Sequence, residues 1–391
     1  MRKLILRKRY MDELNGLRDH RELIKVISGI KGCGKSTLVK QFIISLRSAG
    51  VRNEDIVYLD LDHPCAVREH SELCSFLERN DSGGRMYIFL DDIVMIRNWE
   101  QSIEWIRNNL DADLYLTCSN TNRFAPDMMT GTYTVKMLPL SFREFVELNP
   151  CDISYESMRS RYGDYIRVGS LPAVRTNMEP ETVNELLTGI QCSILVREVM
   201  PWNEIRNFDV MYRVMGYVME NCCSLMSPAN IASNLNLKNQ KAVDSYLVAL
   251  EETHLIIRIP RYDLRARQEM KTNSKYYLTD VGLRSASVGY GEGDAQRMLE
   301  NVVLMELLRR DYTVMVGSYR GTEIDFVAKR NNDTEYFQVA ASLTDDITDD
   351  EIDLLISVNG RHKTIITADD EKYNDLDGIR IMNFIDFLMD D

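Results

Sequence analysis

The chain has 391 residues, 45% hydrophobic and 27% charged, with a formal net charge of −13. That balance excludes disordered and fibrous classes, and the length predicts about two to four domains of roughly 100–200 residues each. The longest apolar runs, YIFL at 87–90 and DLLISV at 353–358, fall far short of the roughly 18 residues a membrane span needs, so no membrane partner is expected.

The opening MRKLILRKRY returns to Arg after three apolar residues, which leaves no signal-peptide core and predicts a cytoplasmic chain. Cysteines at 33, 65, 74, 118, 151, 192, 222 and 223 form no C-x-x-C pair. Reduced thiols are expected rather than a zinc site or a disulfide framework. Charge is uneven: residues 342–391 hold fourteen Asp/Glu against four Lys/Arg, whereas 226–290 hold nine basic against six acidic residues. A polyanion would therefore meet the middle of the chain and not its end.

In chain order, ELIKVISGIKGCGKSTLVKQFIIS at 22–45 comes first. An apolar strand at 23–27 runs into a glycine-rich loop and then a helical pattern from Ser36. Gly29, Gly34, Lys35 and Ser36 satisfy G-x-x-x-x-G-K-[ST], with Gly32 and Thr37 in the same cradle. Glycines let backbone N–H groups surround phosphate at the positive end of the helix. Lys35 would reach the β and γ phosphates of ATP, and Ser36 would give Mg²⁺ an oxygen. MYIFLDD at 86–92 supplies a second strand ending in carboxylates: Asp91 for the Mg²⁺ shell, Asp92 where the attacking water is oriented. Asp92 is one methylene shorter than Glu, and about 1 Å of misplacement costs on the order of a hundredfold in rate, so binding can outrun hydrolysis. DLYLTC at 113–118 predicts a third strand, between the other two, whose tip carries Asn120. Asn120 reads either as a γ-phosphate sensor or as an Asx-type turn residue.

With these residues in place the chain resembles the prokaryotic AAA+ ATPases whose core is followed by a winged helix and a C-terminal domain of unknown function related to PD-(D/E)xK nucleases. The resemblance covers nearly the whole chain. It is carried by ISGIKGCGKSTL (27–38), YIFLDDIVMIRNWE (87–100), LTCSNTN (116–122), LPLSFREF (138–145), YIRVGSLPAV (165–174), SILVREV (193–199), LENVVLMELLRRDYTV (299–314) and TEIDFVAK (322–329). It implies an α/β fold: a P-loop NTPase (AAA+-like) parallel sheet core over 1–150, a helical lid over 151–225, a winged helix over 226–290, and a restriction-endonuclease-like α/β domain over 291–391. It also implies that Pro172 lies against the adenine; by itself GSLP is only a turn signal. Two positions depart from the family. Asp92 replaces the usual Glu, and Gly131-Thr132 replaces a Gly-Arg whose arginine would stabilise γ-phosphate charge. Arg123 and Arg167 are the candidates to stand in, and each reads equally well as a surface or core-edge residue.

Residues 227–257 alternate two helical patterns around a polar turn at 237–240, with Ile231, Ala232 and Leu235 on one face and Val243, Tyr246, Leu247 and Leu250 on the next. A strand, a basic loop and a strand follow. Lys238, Lys241, Arg258, Arg261, Arg265, Arg267 and Lys271 are candidates for phosphate contacts on duplex DNA, although such modules also dock proteins.

At the end of the chain a helix around 299–310 carries Glu300, a strand at 323–327 carries Asp325, and a further strand reads EYFQVAAS at 335–342. A working nuclease needs clustered carboxylates for its metal and an acid-x-Lys pair. Here the pair reads Gln338-Val339-Ala340, so the fold is expected to persist without the cleavage chemistry; Glu300 and Asp325 are then free to cap or pair within the fold. The sequence thus points first to an ATP hydrolase or slow nucleotide switch, with ATP and Mg²⁺ as cofactors. Duplex DNA, another protein, or a second copy of the chain are its candidate partners. The alternatives are a non-hydrolysing regulatory scaffold and, less favoured, a metal-dependent nuclease.

Overall fold

The computed structural model describes residues 4–64, 66–81, 83–120, 131–200, 205, 207–291, 293–360, 362–369 and 375–390 and, at 271 and 272, the backbone. The chain divides into two compact units, Met1–Leu138 with Glu252–His254, and Pro139–Glu251 with Leu255–Asp391.

The first unit comprises α1 (Lys8–Gly16), β1 (Ile24–Ser28), α2 (Lys35–Ser48), β2 (Ile56–Asp60), α3 (His70–Arg79), β3 (Met86–Asp91), α4 (Trp99–Asn109), β4 (Ala112–Cys118) and β5 (Thr132–Lys136). Its five strands are parallel, in the order β2-β3-β4-β1-β5. β1 and β3 are buried along their whole length, which is why they read as near-continuous apolar runs. Lys25 is the exception. It is fully buried in β1 and donates to the Asp113 carboxylate and the His20 carbonyl. The other Asp113 oxygen accepts from the Tyr115 hydroxyl and the Asp19 N–H, each at 2.9 Å. A buried charge persists only when paired in this way. α2 is fixed on the sheet by Phe42, 5.3 Å between ring centroids from Tyr115, which stacks on Phe89 at 4.8 Å. That packing sets where α2 begins, and so where the loop after β1 must turn.

The second unit begins with α5 (Phe142–Leu148), α6 (Tyr155–Val168) and α7 (Pro180–Ser193), which continues as a π-helical turn over Ile194–Val199. Then come α8 (Phe208–Glu220), β6 (Leu225–Met226), α9 (Pro228–Asn234), α10 (Gln240–Glu252), β7 (Ile256–Asp263), β8 (Gln268–Leu278), α11 (Val281–Val288) and α12 (Asp294–Arg309). The chain ends with β9 (Thr313–Tyr319), β10 (Thr322–Arg330), β11 (Asp333–Ala340), α13 (Asp349–Ser357), β12 (His362–Thr367), β13 (Arg380–Asn383) and α14 (Phe384–Met389). LPLSF owes its form to a capping box: Ser141 Oγ accepts from the Glu144 N–H at 3.1 Å while the Glu144 carboxylate accepts from the Ser141 N–H at 2.9 Å.

Eight strands form one mixed sheet in the order β13-β12-β11-β10-β9-β7-β8-β6. The antiparallel hairpin β7–β8 joins it through parallel pairing of β7 with β9, Arg261 opposite Val316, so a single sheet runs across residue 290. α12 is buried on every face from Met298 to Leu307. Its Asn301 amide accepts from the Leu278 N–H at 2.8 Å and donates to the Leu278 carbonyl at 2.9 Å, stitching the helix to β8. Among the described residues, no cysteine is in a disulfide and no helix is long and apolar enough to cross a membrane.

Candidate functional site

β1 ends at Ser28, and the next residue tolerates no side chain: a Cβ on Gly29 would lie 2.1 Å from the Met137 carbonyl oxygen. Gly32 (φ +89°) and Gly34 (φ +108°) are both left-handed, a conformation costly to other residues. Gly34 immediately precedes α2. The loop therefore curls around the positive end of that helix, where Lys35, Ser36 and Thr37 open the first turn. Lys35 is buried, and its ammonium donates to the carbonyls of Gly29 at 2.7 Å and Ile30 at 3.3 Å. These carbonyl dipoles hold the ammonium inside the loop, where it is placed to meet a polyphosphate.

Asp91, at the end of β3, is 2% exposed. Its two oxygens accept from the Tyr58 hydroxyl at 2.8 Å and the Thr117 hydroxyl at 2.5 Å. Burial, with the charge of Asp91, holds the Tyr58 phenol well above its ordinary value, so it stays a donor. Thr117 Oγ1 also accepts from the Asp92 N–H at 2.8 Å, and Asp92 sits at φ +61°. One threonine thus positions both acidic residues. Sequence reasoning missed Thr117 and Tyr58, since each passes for an ordinary strand former; the signal was their place on strands flanking β3. The Ser36 hydroxyl and the buried Asp91 carboxylate are hard oxygen donors of the kind that suits Mg²⁺, which is commonly held by one or two carboxylates plus substrate phosphates. No group of three or more His, Cys, Asp or Glu able to hold a metal occurs among the described residues.

Asn120 follows β4, is 4% exposed, and donates through Nδ2 to Glu252 at 3.1 Å. Thr132 opens β5 opposite Ile24. Thr121 and Arg123 lie outside the described residues. A second unforeseen neighbour is His254, whose Nε2 is 3.0 Å from Ser28 Oγ.

In the second unit, Gly169 is packed against Asp280 and Gly282; a Cβ on it would lie 2.3 Å from an Asp280 oxygen. Ser170 donates to Asp280 through its N–H (2.6 Å) and hydroxyl (2.7 Å). This clamp sets the GSLP turn, and the Pro172 carbonyl accepts from Arg175 at 2.6 Å. Arg167 is engaged by Asp164 at 2.8 Å.

Of the basic candidates, Lys238, Lys241, Arg258, Arg265 and Arg267 are exposed, and Arg258 donates to Ser274 Oγ at 3.0 Å. Arg261 is committed inside the sheet, donating to Ser318 Oγ at 2.7 Å with Glu323 at 3.7 Å. The side chain of Lys271 lies outside the described residues.

Glu300 and Asp325 do come together, but around a lysine that sequence reasoning passed over. The buried Lys275 ammonium lies 3.1 Å from Glu300, 3.6 Å from Glu323 and 3.6 Å from Asp325. Burial works against this ammonium, yet the three carboxylates outweigh it and hold Lys275 above its ordinary value. Tyr277 donates to Glu300 at 2.6 Å. Gln338 accepts from the Asp325 N–H at 3.1 Å, while the Asp325 carboxylate accepts from the Val339 N–H at 2.9 Å. Burial, reinforced by Glu300 and opposed by Lys275, pushes Asp325 up to about 7.

Residues 21–146 match a family described as an AAA domain, and residues 159–294 match a domain of unknown function (DUF8612). The chain is 29% identical over 401 residues to an uncharacterized protein of Haemophilus influenzae, covering 99% of each. Among solved structures it is similar to a Walker-type ATPase of Pyrococcus abyssi, with TM-score 0.50 and 12% identity over 72% of this chain and 95% of that one. A weaker likeness, TM-score 0.36 at 12% identity, links 66% of this chain to 90% of the RuvB Holliday junction branch migration motor of Thermotoga maritima. At 12% identity the likeness to the Pyrococcus abyssi ATPase is one of fold. With the AAA match and the loop geometry, it supports a nucleotide-binding P-loop domain of AAA type built on a five-stranded parallel sheet.

Proposed function

We propose that this protein is a slow Mg²⁺-dependent ATPase whose nucleotide state sets the arrangement of the domains that follow. The observation that carries the reading is one buried construction: Lys35 seated on loop carbonyls beside a position only glycine can occupy, with Asp91 held by Tyr58 and Thr117 two strands away. Ser36 and Asp91 would hold Mg²⁺, which neutralises charge developing on the phosphates. Asp92 would orient water and Asn120 would meet the γ-phosphate. Thr132 stands where the resemblance to AAA+ ATPases implies an arginine, so a neighbouring copy in a homo-oligomer is the proposed source of that charge.

In the second unit, α9, α10 and the hairpin β7–β8 are proposed as a winged helix, with Lys238, Lys241, Arg265 and Arg267 as its phosphate-facing residues on duplex DNA. α12 with β9–β12 is proposed as a nuclease-like fold without its chemistry. Lys275 sits amid the carboxylates a metal would need, and Gln338 and Ala340 replace the acid and lysine.

Steady-state ATP turnover with Mg²⁺, with and without duplex DNA, tests this reading. Turnover abolished by Lys35→Ala supports it, and DNA stimulation assigns the basic hairpin its partner. A second reading, a nucleotide-binding scaffold that does not hydrolyse, is favoured by Asp92: its carboxylate is short and its backbone N–H is tied to Thr117. ATP bound in a Lys35-dependent manner without turnover selects that reading.

A further inference from the structure

α10 ends at Glu252, and β7 begins at Ile256. α10 as far as Glu251 and all of β7 belong to the second unit, whereas the three residues Glu252–His254 belong to the first. Glu252 accepts from Asn120 at the tip of β4, and His254 meets Ser28 at the tip of β1. β1 and β4 are adjacent strands, and Ser28 directly precedes the glycine that opens the phosphate loop. Two residues apart in sequence, Glu252 and His254 thus bridge the strand ends where phosphate is expected.

The backbone gives an independent sign. Leu255 N–H donates to the Leu250 carbonyl at 3.0 Å, closing the helix through a left-handed residue, a position that favours glycine. Here it is His254, at φ +57°. A bulky residue kept where glycine is cheaper marks a side chain with work to do. Its electrical surroundings agree: burial, then the charges of Lys35 and Lys136, pushes the imidazole down to about 4. Polyphosphate at Lys35 would oppose the effect of both lysines.

Resting on the nucleotide-binding reading above, we infer that Glu252–His254 is a phosphate sensor: His254 responds to phosphate in the loop, and Glu252 exchanges Asn120 with the γ-phosphate. Nucleoside triphosphate and diphosphate are then distinguished by which of the two contacts changes. Because the segment is continuous with α10 on one side and β7 on the other, its displacement passes along the backbone into the basic helix and hairpin.

The test measures ATP and ADP affinities of the full-length protein by calorimetry and follows ¹³C-labelled histidine by NMR. His254→Gly suits the left-handed backbone and leaves folding intact, and its missing resonance assigns His254. Nucleotide is expected to shift that resonance. His254→Gly is expected to weaken both nucleotides about tenfold, the worth of one charge-assisted hydrogen bond, with partial rescue by His254→Asn. Glu252→Ala, by removing the carboxylate that holds the Asn120 amide, is expected to raise the ATP-to-ADP affinity ratio roughly fivefold. Wild-type affinities in His254→Gly with an unmoved imidazole overturn the sensor while leaving nucleotide binding in place. Failure of the wild type to bind either nucleotide in a Lys35-dependent manner overturns the nucleotide reading and the sensor with it.

Discussion

Lys35 and Lys275 are equally buried, each 7% exposed, and their surroundings are opposite. The first rests on two backbone carbonyls; the second faces three carboxylates. A cation seated on neutral dipoles is placed to attract an anion. One set among three carboxylates is held by them inside the fold. The same residue type is therefore seated on carbonyls in one unit and locked among carboxylates in the other.

The sharpest way to break this contrast is Lys275→Met. It leaves Glu300, Glu323 and Asp325 facing one another with no cation, and is expected to cost about 3–5 kcal/mol, read as a lowered urea midpoint. Lys35→Ala should instead leave the midpoint nearly unchanged and weaken ATP binding on the order of a hundredfold, read by calorimetry. If both variants lose stability and neither loses nucleotide, the distinction fails. Asp92→Glu sharpens the first half: restoring the missing methylene should raise turnover by up to about a hundredfold without altering ATP affinity, measured as phosphate release.

The smallest expected effect is in pH, and its sign differs between the units. His254 is held below its ordinary 6.5, at about 4, so the unfolded chain binds the extra proton. Its contribution is full above about 6.5 and is lost as pH falls toward 4. Asp325 is raised from 3.8 to about 7, so the folded state binds the extra proton and stability is lost as pH rises through that window. Solvent screening and the pairing of Asp325 with Lys275 should leave each change well below the roughly 3–4 kcal/mol that the full shifts would convert to. Hydrogen exchange resolved by unit checks this: His254→Gly should flatten the first slope, and Asp325→Asn the second.

What the sequence determined by itself was local. The strand, loop and helix of 22–45 could be read because every residue of the phosphate loop is within a few positions of the next, and backbone conformation, glycine placement and helix polarity are all near-neighbour effects. That Asp91 ends a buried strand was legible for the same reason, as four apolar residues lead straight into it. The basic hairpin could be counted, but not that Arg261 is spent on Ser318 and Glu323.

Tertiary structure alone decided the partners. Lys25 sits in an apolar run and gives no sign of Asp113, 88 residues away. Lys275 looks like one more basic residue until β8 lies beside α12 and β10. Thr117 and Tyr58 look like strand formers until the strand order brings both to Asp91, and His254 is a lone histidine until its turn meets Ser28, 226 residues distant. Burial makes these pairings strong, and burial is a property of the folded chain: a charge or hydroxyl acquires its role only when water is removed from around it.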